Sequence, residues 1–332
     1  MQGGVVELAH GGGGTMTGEL IGFVREYVGN AVLDALEDAA RIELGGRCAF
    51  TTDSFVVSPL EFVGGDIGRL AVAGTVNDLA VMGARPRYVS LALIIEEGLA
   101  FDQLGRLLSS IRDTAAEAEV LVACGDTKVV ERGKADGLFI TTSGLGEIPP
   151  GADVSAHNAR PGDAVLLSGE IGLHGVAVMA AREGLGFASS AQSDVAPLGG
   201  MLAPLVERLE VHVMRDPTRG GCAAALHEIA EASGVSIVLE DAALPIPEVV
   251  RGACSLLGTD PLEMPNEGKA VVLLPESHAN EGISLLRSHK YGMGASKVGR
   301  VVERGAFPVT LLTALGERLV DAPRGELLPR IC

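Results

Sequence analysis

Apolar and polar residues follow two periods along this chain, and together they predict a protein built from both strands and helices. Helical spacing of apolar residues predicts helices at 17–28, 67–81, 101–118, 202–209, 218–232 and 279–288, with another from about residue 174. Stretches rich in β-branched residues predict strands at 48–57, 87–95, 120–123, 138–142, 164–167, 235–239, 270–274, 297–302 and 309–312. The strand at 120–123 is expected to end at Gly125-Asp126. Because strands and helices alternate without a strict β-α-β rhythm, we predict an α+β fold.

Two turn-rich segments, at 149–151 and 160–163, predict where two lobes meet. Two lobes are also expected for 332 residues, because single hydrophobic cores stop growing near this size. The prolines and glycine after residue 320 cannot continue a helix, so they predict an extended arm. The predicted organisation is a glycine-rich loop and helix at 1–46, an N-terminal domain at 47–155, a C-terminal α+β domain at 156–320 and a tail at 321–332.

Charge and cysteine content exclude several classes of protein. A net charge of −17 argues against the clustered basic face that nucleic acid or an anionic membrane requires. Apolar stretches are interrupted before they reach the length of a membrane span, and the N-terminus lacks the pattern of a secretory leader. The five cysteines are scattered without a Cys-x-x-Cys pair. We therefore predict neither a disulfide framework nor a zinc site, and we expect a cytoplasmic protein.

Five aspartates interrupt apolar segments beside glycine or other small residues. Turn formation is the competing explanation for each one taken alone. As a set they favour chemistry, since Mg²⁺ prefers a few carboxylates together with phosphate oxygens such as those of ATP. Asn77 is expected to share a helix face with Asp66, because eleven positions at 100° per residue leave them about 20° apart. The five are Asp53, Asp66, Asp78, Asp126 and Asp216.

Three further charged residues are candidates for catalysis or anion binding. Lys128 alternates onto the same side of an extended segment as Asp126, where it could meet a phosphate. Glu267 could act as a general base if it points into a cleft, and a solvated turn residue is the competing interpretation. Arg219, beside Gly220-Gly221 at a predicted helix start, could hold an anion, and a local ion pair at the helix cap is the alternative.

The chain ends in Cys332, and a terminal cysteine is usually of no consequence. It cannot be a prenylation site, because that modification requires three residues after the cysteine. On an extended arm, however, its thiol could enter an active site and leave it again, as a covalent carrier does. His174 and His227, by contrast, are predicted to be packing or surface residues of helices rather than ligands.

Blocks of sequence from residue 53 to the C-terminus resemble the HypE family, the carbamoyl dehydratases of nickel–iron hydrogenase maturation. Some of them also occur in the wider ATP-using superfamily of aminoimidazole ribonucleotide synthetase and selenophosphate synthetase, whereas the terminal Pro-Arg-Ile-Cys is close to diagnostic. The blocks are Asp-Ser-Phe-Val-Val-Ser-Pro-Leu (53–60), Gly-Gly-Asp-Ile-Gly (64–68), Gly-Thr-Val-Asn-Asp-Leu-Ala (74–80), Gly-Asp-Thr-Lys-Val-Val (125–130), Ser-Asp-Val-Ala-Pro-Leu (193–198), Arg-Asp-Pro-Thr-Arg-Gly-Gly (215–221), Asn-Glu-Gly-Lys (266–269) and Pro-Arg-Ile-Cys (329–332).

This resemblance implies a two-lobed aminoimidazole ribonucleotide synthetase-like fold with an extended C-terminal tail. The N-terminal lobe would bind ATP and pair with a second subunit in a homodimer, with the ATP site between the lobes and near that interface. The implied reaction begins with a carbamoyl group placed on Cys332 by the carbamoyltransferase HypF. ATP-dependent dehydration would convert it to a thiocyanate, and the cyanide would pass to iron on the HypC–HypD complex.

The chemistry of such a dehydration requires Mg²⁺–ATP, a cation at the phosphate and a base near nitrogen, since an amide oxygen leaves only after phosphorylation. We expect Cys332 to carry the reacting group, Lys128 to stabilise the transferring phosphoryl group and Glu267 to be the base. Two other functions stay open: a small-molecule phosphotransferase, which would not need Cys332, and a maturation scaffold without catalysis. Metal contacts are expected from Asp53, Asp66, Asp78 and Asp126, and nucleotide contacts from these four with Asn77, Thr127, Asp216 and Arg219.

Overall fold

The computed structural model describes residues 4–12, 14–35, 39–183, 190–323 and 330–332. Gly13 of the predicted glycine-rich loop and residues 324–329 of the predicted tail lie outside the described residues. Within the described ranges, no helix combines the length and the apolar character needed to cross a membrane.

The N-terminal lobe contains a sheet in which four of the described strands follow the order β1-β6-β4-β5. Strands β4 and β5 run parallel, and the other neighbours are antiparallel. Strands β2 and β3 form a separate short ribbon. The elements are α1 (Gly14–Val28), β1 (Cys48–Phe55), β2 (Glu61–Phe62), β3 (Gly65–Asp66), α2 (Ile67–Val81), β4 (Arg85–Glu96), α3 (Phe101–Glu117), β5 (Leu121–Val130) and β6 (Leu138–Glu147).

The C-terminal lobe contains a larger sheet, whose described strands follow the order β13-β12-β9-β11-β7-β10-β8. The pair β9–β12 is parallel, and the other pairs are antiparallel. Its elements are β7 (Asp163–Leu167), α4 (Leu173–Glu183), α5 (Gly199–Arg208), β8 (Val213–Arg215), α6 (Gly221–Ser233), β9 (Ser236–Glu240), α7 (Glu248–Leu257), β10 (Val271–Pro275), α8 (Ala279–Arg287), β11 (Ser296–Val302), β12 (Val309–Thr313) and β13 (Gly316–Leu319).

The two sheets are covered differently. In β7, Val165 and Leu167 pack in the cluster that includes α6, whereas Leu166 packs with α5 and α8, so this sheet buries both faces. In the N-terminal lobe, helices α2 and α3 cover one face, where alternate residues of β6 are buried. The other face stays exposed, with Phe50 69% and Ile94 39% accessible. Helix α2 is buried on nearly all sides because it lies between the sheet and α5.

Side chains of α2 and α3 join the lobes. Arg69 of α2 donates from Nε to the carbonyl of Val195 at 2.9 Å and from its guanidinium to Glu117 at 3.1 Å and to the Tyr291 hydroxyl at 2.9 Å. Lys290 donates to the same Glu117 carboxylate at 2.6 Å. The cluster ties α2 and α3 to the segment that follows α8.

The predicted helices and strands are present in the described residues, with differences at their ends. The expectation that the strand from residue 120 ends at Gly125-Asp126 is wrong, because β5 continues to Val130. Its parallel pairing with β4 runs from Tyr88↔Leu121 to Glu96↔Val130, and these ladder hydrogen bonds override the turn tendency of Gly-Asp. Helix α6 begins at Gly221 rather than Thr218, because Gly220 and Gly221 adopt φ of 75° and 60°. Sequence patterns did not predict β2, β3, β8, α7 or β13.

Candidate active site

Four carboxylates converge where α2 meets the C-terminal lobe. Thr51 of β1 donates to Asp78 of α2 at 2.7 Å, and Thr75 of α2 donates to Asp53 of β1 at 3.3 Å. Asp78 and Asp53 therefore face each other across the junction between strand and helix. The remaining two follow β8 and precede β10 in the C-terminal lobe. We call this group the acidic site, and its members are Asp53, Asp78, Asp216 and Glu267.

The acidic site carries more negative charge than its surroundings compensate. Burial and the neighbouring Asp78 carboxylate raise the pKa of Asp53 to about 6. Burial raises the pKa of Asp216 to about 7, and the charges of Asp78 and Asp53 add to the shift. The positive charge of Arg219 lowers the pKa of Asp53, so Arg219 lies near the acidic site. Such a group of oxygen donors favours the arrival of a cation.

Glu267 is 3% exposed, and its backbone is fixed from both lobes. Its amide donates to Asp194 Oδ1 at 3.1 Å, and its carbonyl accepts from Asn77 Nδ2 at 3.2 Å. Gly268 allows this approach, because a Cβ there would lie 1.8 Å from the Asp194 carbonyl oxygen. Burial, followed by the charges of Asp216 and Asp194, holds the pKa of Glu267 well above its usual range. Glu267 is thus a buried residue rather than a solvated turn residue.

The segment 193–198 organises the site, and sequence analysis gave it no role beyond the family resemblance. Its Asp194 holds the Glu267 amide, and its second oxygen Oδ2 is buried, lies 3.5 Å from Lys269 Nζ and accepts no hydrogen bond from the described residues. The carbonyl of Ala196 and the amide of Leu198 bind the Asn77 side chain at 3.0 and 2.7 Å. An acidic residue inside an apolar stretch was the signal that could have identified Asp194.

Asn77 and Asp66 are placed differently from the acidic site. The Asn77 amide is buried and holds the two lobes together through the contacts just described. Asp66 caps α2, where its Oδ1 accepts from the Arg69 amide at 2.9 Å, and burial raises its pKa. Asp78 lies twelve residues further along the helix, or about 18 Å at 1.5 Å per residue. The structure therefore does not bring Asp66 to the other aspartates.

Asp126, Thr127 and Lys128 lie on β5 at the edge of the sheet. Lys128 Nζ contacts both oxygens of Asp126 at 2.6 Å, and Thr127 donates its amide to Asp126 at 2.9 Å. Asp126 and Lys128 share a side, as their two-residue spacing predicts, and the hydrogen bond from Lys128 lowers the Asp126 pKa. The register places both on the face opposite Asp53, three strand spacings or about 14 Å away. Within a single chain, Asp126 and Lys128 therefore do not form part of the acidic site.

A cavity of about 380 Å³ lies between α1 and the β4–β5 edge. Ile21 and Val24 of α1 and Leu91 and Leu93 of β4 form an apolar part of its wall, and residues 126–128 also line it. Its volume is in the range of small-molecule sites. In this cavity the Asp126–Lys128 ion pair therefore lies beside an apolar surface.

The end of the tail docks on the segment that follows β1. Val56 donates its amide to the Cys332 carbonyl at 3.1 Å, and Arg330 Nε donates to the Val56 carbonyl at 3.0 Å. Cys332 is partly buried against the core of the N-terminal lobe. The ring of Phe55, the residue before Val56, lies beside Gly74, and Glu267 Oε2 is 4.0 Å from the position of a Cβ on Gly74. Cys332 therefore docks on the segment directly after Phe55, and it is the ring of Phe55 that packs beside Gly74 near Glu267.

Arg219 and Arg215 are separated in the structure. Arg219 is exposed beside Gly220, whereas Arg215 pairs with Glu228. Gly220 in turn contacts the start of the tail, since a Cβ there would lie 3.3 Å from Pro323 Cγ. In the ranges that the structure describes, no group of three or more His, Cys, Asp or Glu side chains is arranged to hold a metal ion by itself. A cation here would need oxygens from a ligand as well.

Comparisons with known proteins identify the family. The N-terminal domain of AIR synthase related proteins matches residues 36–148, and the C-terminal domain of AIR synthase related proteins matches residues 160–311. A carbamoyl dehydratase HypE from Rhodobacter capsulatus is 48% identical over 98% of this chain and 98% of its own length.

Solved structures agree with these matches. The hydrogenase maturation protein HypE in complex with ATP has a TM-score of 0.95 at 45% identity, covering 98% of this chain and 99% of its own. HypE in a HypE–HypF complex has a TM-score of 0.81 at 46% identity, covering 93% of this chain and 100% of its own. The predicted α+β, two-lobed fold of the AIR synthase type is thereby confirmed. Since the match extends over nearly the whole chain at this identity, the chain belongs to the HypE family of carbamoyl dehydratases.

Proposed function

We propose that this protein dehydrates an S-carbamoyl group on Cys332 to a thiocyanate at the expense of ATP, as a source of cyanide ligands for the iron of nickel–iron hydrogenases. The observation that supports the proposal is the docking of Cys332 on Val56, directly after the strand β1 that carries Asp53. A carrier thiol has to reach the reacting groups, and a tail end docked on this segment is consistent with that requirement.

The atoms of the reaction balance without an oxidant or reductant. A carbamoyl group on sulfur differs from a thiocyanate by one water, so the carbon–oxygen bond breaks and nitrogen loses both protons. ATP supplies the phosphoryl group that makes the oxygen a leaving group, and the oxygen departs in inorganic phosphate with ADP as the other product. A base at nitrogen and a cation at the phosphoryl oxygens are therefore required.

The acidic site fits Mg²⁺ and a nucleotide. Its carboxylates are hard oxygen donors whose negative charge Arg219 and Arg215 offset only in part, and the neighbouring Asp194 Oδ2 is buried without a hydrogen bond among the described residues. Asp53, Asp78 and Asp216 would hold the ion, with remaining positions taken by phosphate oxygens and water. Arg219 would contact the nucleotide from the exposed side. Asp66 is the N-cap of α2 and lies apart from this group, so its predicted metal contact stays a prediction.

Glu267 is our candidate for the base. A base has to be ionised, whereas burial and the charges of Asp216 and Asp194 raise the pKa of Glu267 well above its usual range and so disfavour its charged form. A divalent ion at the adjacent carboxylates lowers the pKa of Glu267, because it stabilises the charged form. Positive charge held at these carboxylates would therefore favour the carboxylate form of Glu267, whose role in the proposed reaction is to accept a proton from the carbamoyl nitrogen.

Lys128 and the exposed sheet face point to a homodimer. A second copy on this face would cover Phe50 and Ile94 and would enclose Asp126 and Lys128 at the interface. Lys128 would then stabilise the transferring phosphoryl group from there, with Asp126 and Thr127 at the nucleotide or its metal. HypF, which a related HypE binds in a solved complex, would supply the carbamoyl group. HypC–HypD would accept the cyanide, and the reducing cytoplasm suits a reaction on a thiol.

The experiment that tests the proposal supplies HypF, carbamoyl phosphate and Mg²⁺–ATP and measures the mass of the C-terminal peptide. We expect a carbamoylated peptide first and then one that is lighter by a water, and neither in Cys332→Ala. ATP turnover that is unaffected by Cys332→Ala would identify a phosphotransferase instead. A chain that binds HypF but neither turns over ATP nor changes its peptide mass would be a scaffold.

A further inference from the structure

Two side chains of α4 hold the end of the tail by its main chain. His174 Nε2 lies 2.9 Å from the Ile331 carbonyl oxygen, and Arg182 donates to the Arg330 carbonyl at 2.7 Å. Arg182 also donates to the Ser58 carbonyl at 2.9 and 3.1 Å, which ties α4 to the segment after β1. The Val56 amide completes the set with its hydrogen bond to Cys332. We call these four residues, His174, Arg182, Val56 and Ser58, the tail seat.

The hydrogen bonds of His174 define its tautomer. A carbonyl oxygen only accepts, so Nε2 carries the proton and donates to Ile331. Nδ1 then accepts from the Ser193 hydroxyl at 2.8 Å. His174 is fully buried, and burial lowers its pKa, so the ring stays neutral. If the tail left, a buried N–H donor would lose its partner, which is unfavourable.

The docked tail is also strained at Arg330. This residue adopts φ of 54°, in the left-handed region that side chains disfavour. Three contacts hold this conformation: Arg330 donates from Nε to the Val56 carbonyl, its NH1 pairs with Asp136 at 2.8 Å, and its carbonyl accepts the hydrogen bond from Arg182. Backbone strain of this kind persists where surrounding contacts impose it, and it concentrates at functional sites.

We propose that His174 and Arg182 are positioning residues that set Cys332 for its reaction. The inference rests on the proposed function and goes beyond it, because it assigns the docking of the tail to two residues of α4. It also links the tail to the base. Ser193, which holds His174, precedes Asp194, which accepts the hydrogen bond from the Glu267 amide. One short segment thus places both the thiol and the carboxylate.

The first test measures docking without any turnover. Full-length protein is treated with iodoacetamide, and the alkylation rates of the peptides with Cys332 and with Cys48 are followed by mass spectrometry. Cys48 is exposed and distant, so it is the internal control. We expect His174→Leu to raise the Cys332 rate at least five-fold and His174→Gln, which keeps an N–H donor, to return it to within two-fold of wild type. An unchanged rate in His174→Leu overturns the proposal.

Arg182→Met is the companion variant in case His174→Leu does not fold. Its side chain is partly exposed, so loss of its donors to Arg330 and Ser58 should leave the melting temperature close to wild type. We expect at least a three-fold rise in Cys332 alkylation. A folded Arg182→Met chain with unchanged alkylation of Cys332 also contradicts the proposal.

The second test measures the reaction. With HypF, carbamoyl phosphate and Mg²⁺–ATP, His174→Leu should lower the single-turnover rate of thiocyanate formation at least ten-fold, and ATP affinity should stay within two-fold. Recovery of this rate in His174→Gln would show that the slower reaction of His174→Leu comes from the lost N–H donor and not from a general loss of structure. If wild type forms no thiocyanate while the alkylation effect holds, the proposed function fails and the tail seat stands. If wild type reacts and His174→Leu reacts equally fast, the seat fails alone.

Discussion

Two sets of carboxylates among the described residues differ in their electrostatics. Asp126 and Glu117 have cations beside them: a hydrogen bond from Lys128 lowers the pKa of Asp126, and although burial opposes it, hydrogen bonds from Lys290, Tyr291 and Arg69 lower the pKa of Glu117 to about 2. The acidic site has the opposite character. There burial and like charges raise the pKa values of Asp53, Asp216 and Glu267.

The difference shows which carboxylates the protein neutralises with its own cations and which ones require a ligand. At Glu117 the protein's own cations lock two lobes together, and no further ion is needed. At the acidic site, negative charge is concentrated and largely uncompensated, which is costly for an empty protein but attracts Mg²⁺ with a nucleotide. The predictions below test whether this division between structural and ligand-requiring carboxylates is correct.

Replacing Glu267 should have the largest effect. We expect Glu267→Gln to lower the single-turnover rate of thiocyanate formation by about 10²–10⁴-fold, the range for loss of a general base. The amide keeps the size of the side chain, so the protein should fold. The matched control is Glu248→Gln, at an exposed position of α7. A Glu267→Gln rate within two-fold of wild type would remove Glu267 from the chemistry.

Lys128→Met should lower the same rate by about 10²–10³-fold, because a cation at a transferring phosphoryl group is worth that much. Lys134→Met, on the exposed loop after β5, is the control. The double variant Lys128→Met with Asp126→Asn sharpens the comparison. If it recovers activity, Lys128 serves to neutralise Asp126, and the proposed contact with phosphate is refuted.

Without metal and nucleotide, stability should fall as pH rises from about 4 to about 7. Asp53 and Asp216 have folded pKa values of about 6 and about 7, above the ordinary value of 3.8. Within this window the folded chain keeps protons that the unfolded chain has released, so raising pH favours unfolding. Thermal unfolding with a chelator present measures the slope, and Asp53→Asn should flatten it. Mg²⁺ should stabilise the folded protein most above pH 7. A stability that rises with pH over this range would contradict the raised pKa values of Asp53 and Asp216.

Glu117→Gln should have the smallest effect, a loss of about 1–3 kcal/mol in the free energy of unfolding, as expected for hydrogen bonds to a charged group. The folded pKa of about 2 lies below the ordinary 4.5, so this stabilisation is present above about pH 4.5 and is lost as pH falls toward 2. Urea unfolding of Glu117→Gln beside the exposed Glu131→Gln checks it. Equal stability of the two variants at neutral pH would show that the cluster does not hold the lobes.

Local patterns predicted local structure well. The periodicity of Ile67–Val81 gave α2, and the two-residue spacing of Asp126 and Lys128 placed both on one side of a strand. The end of β5 was predicted incorrectly, because its length depends on pairing with β4, more than thirty residues earlier. Propensity could not reveal that partner.

Contacts between distant segments were beyond the sequence patterns. Their sequence surroundings made Asp53, Asp78, Asp216 and Glu267 candidates, and the resemblance supported them, but their grouping, and the separate positions of Asp66 and Asp126, follow from packing. His174 was expected to be a packing or surface residue, and it is indeed buried. Its contact with Ile331, 157 residues away, has no local signal, because its acceptor is a main-chain oxygen that any residue offers.

The contact of Pro323 with Gly220 has a kinetic consequence. Between that contact and Arg330 the chain can span at most about 25 Å, since seven residues reach about 3.6 Å each. In the proposed reaction the thiol of Cys332 is therefore joined to its own active site by a short length of chain, and a short connection gives an effective concentration in the millimolar range. Dehydration would then be first order in the modified protein, with a rate constant that does not depend on its concentration, so that the cell need not accumulate the reactive carrier.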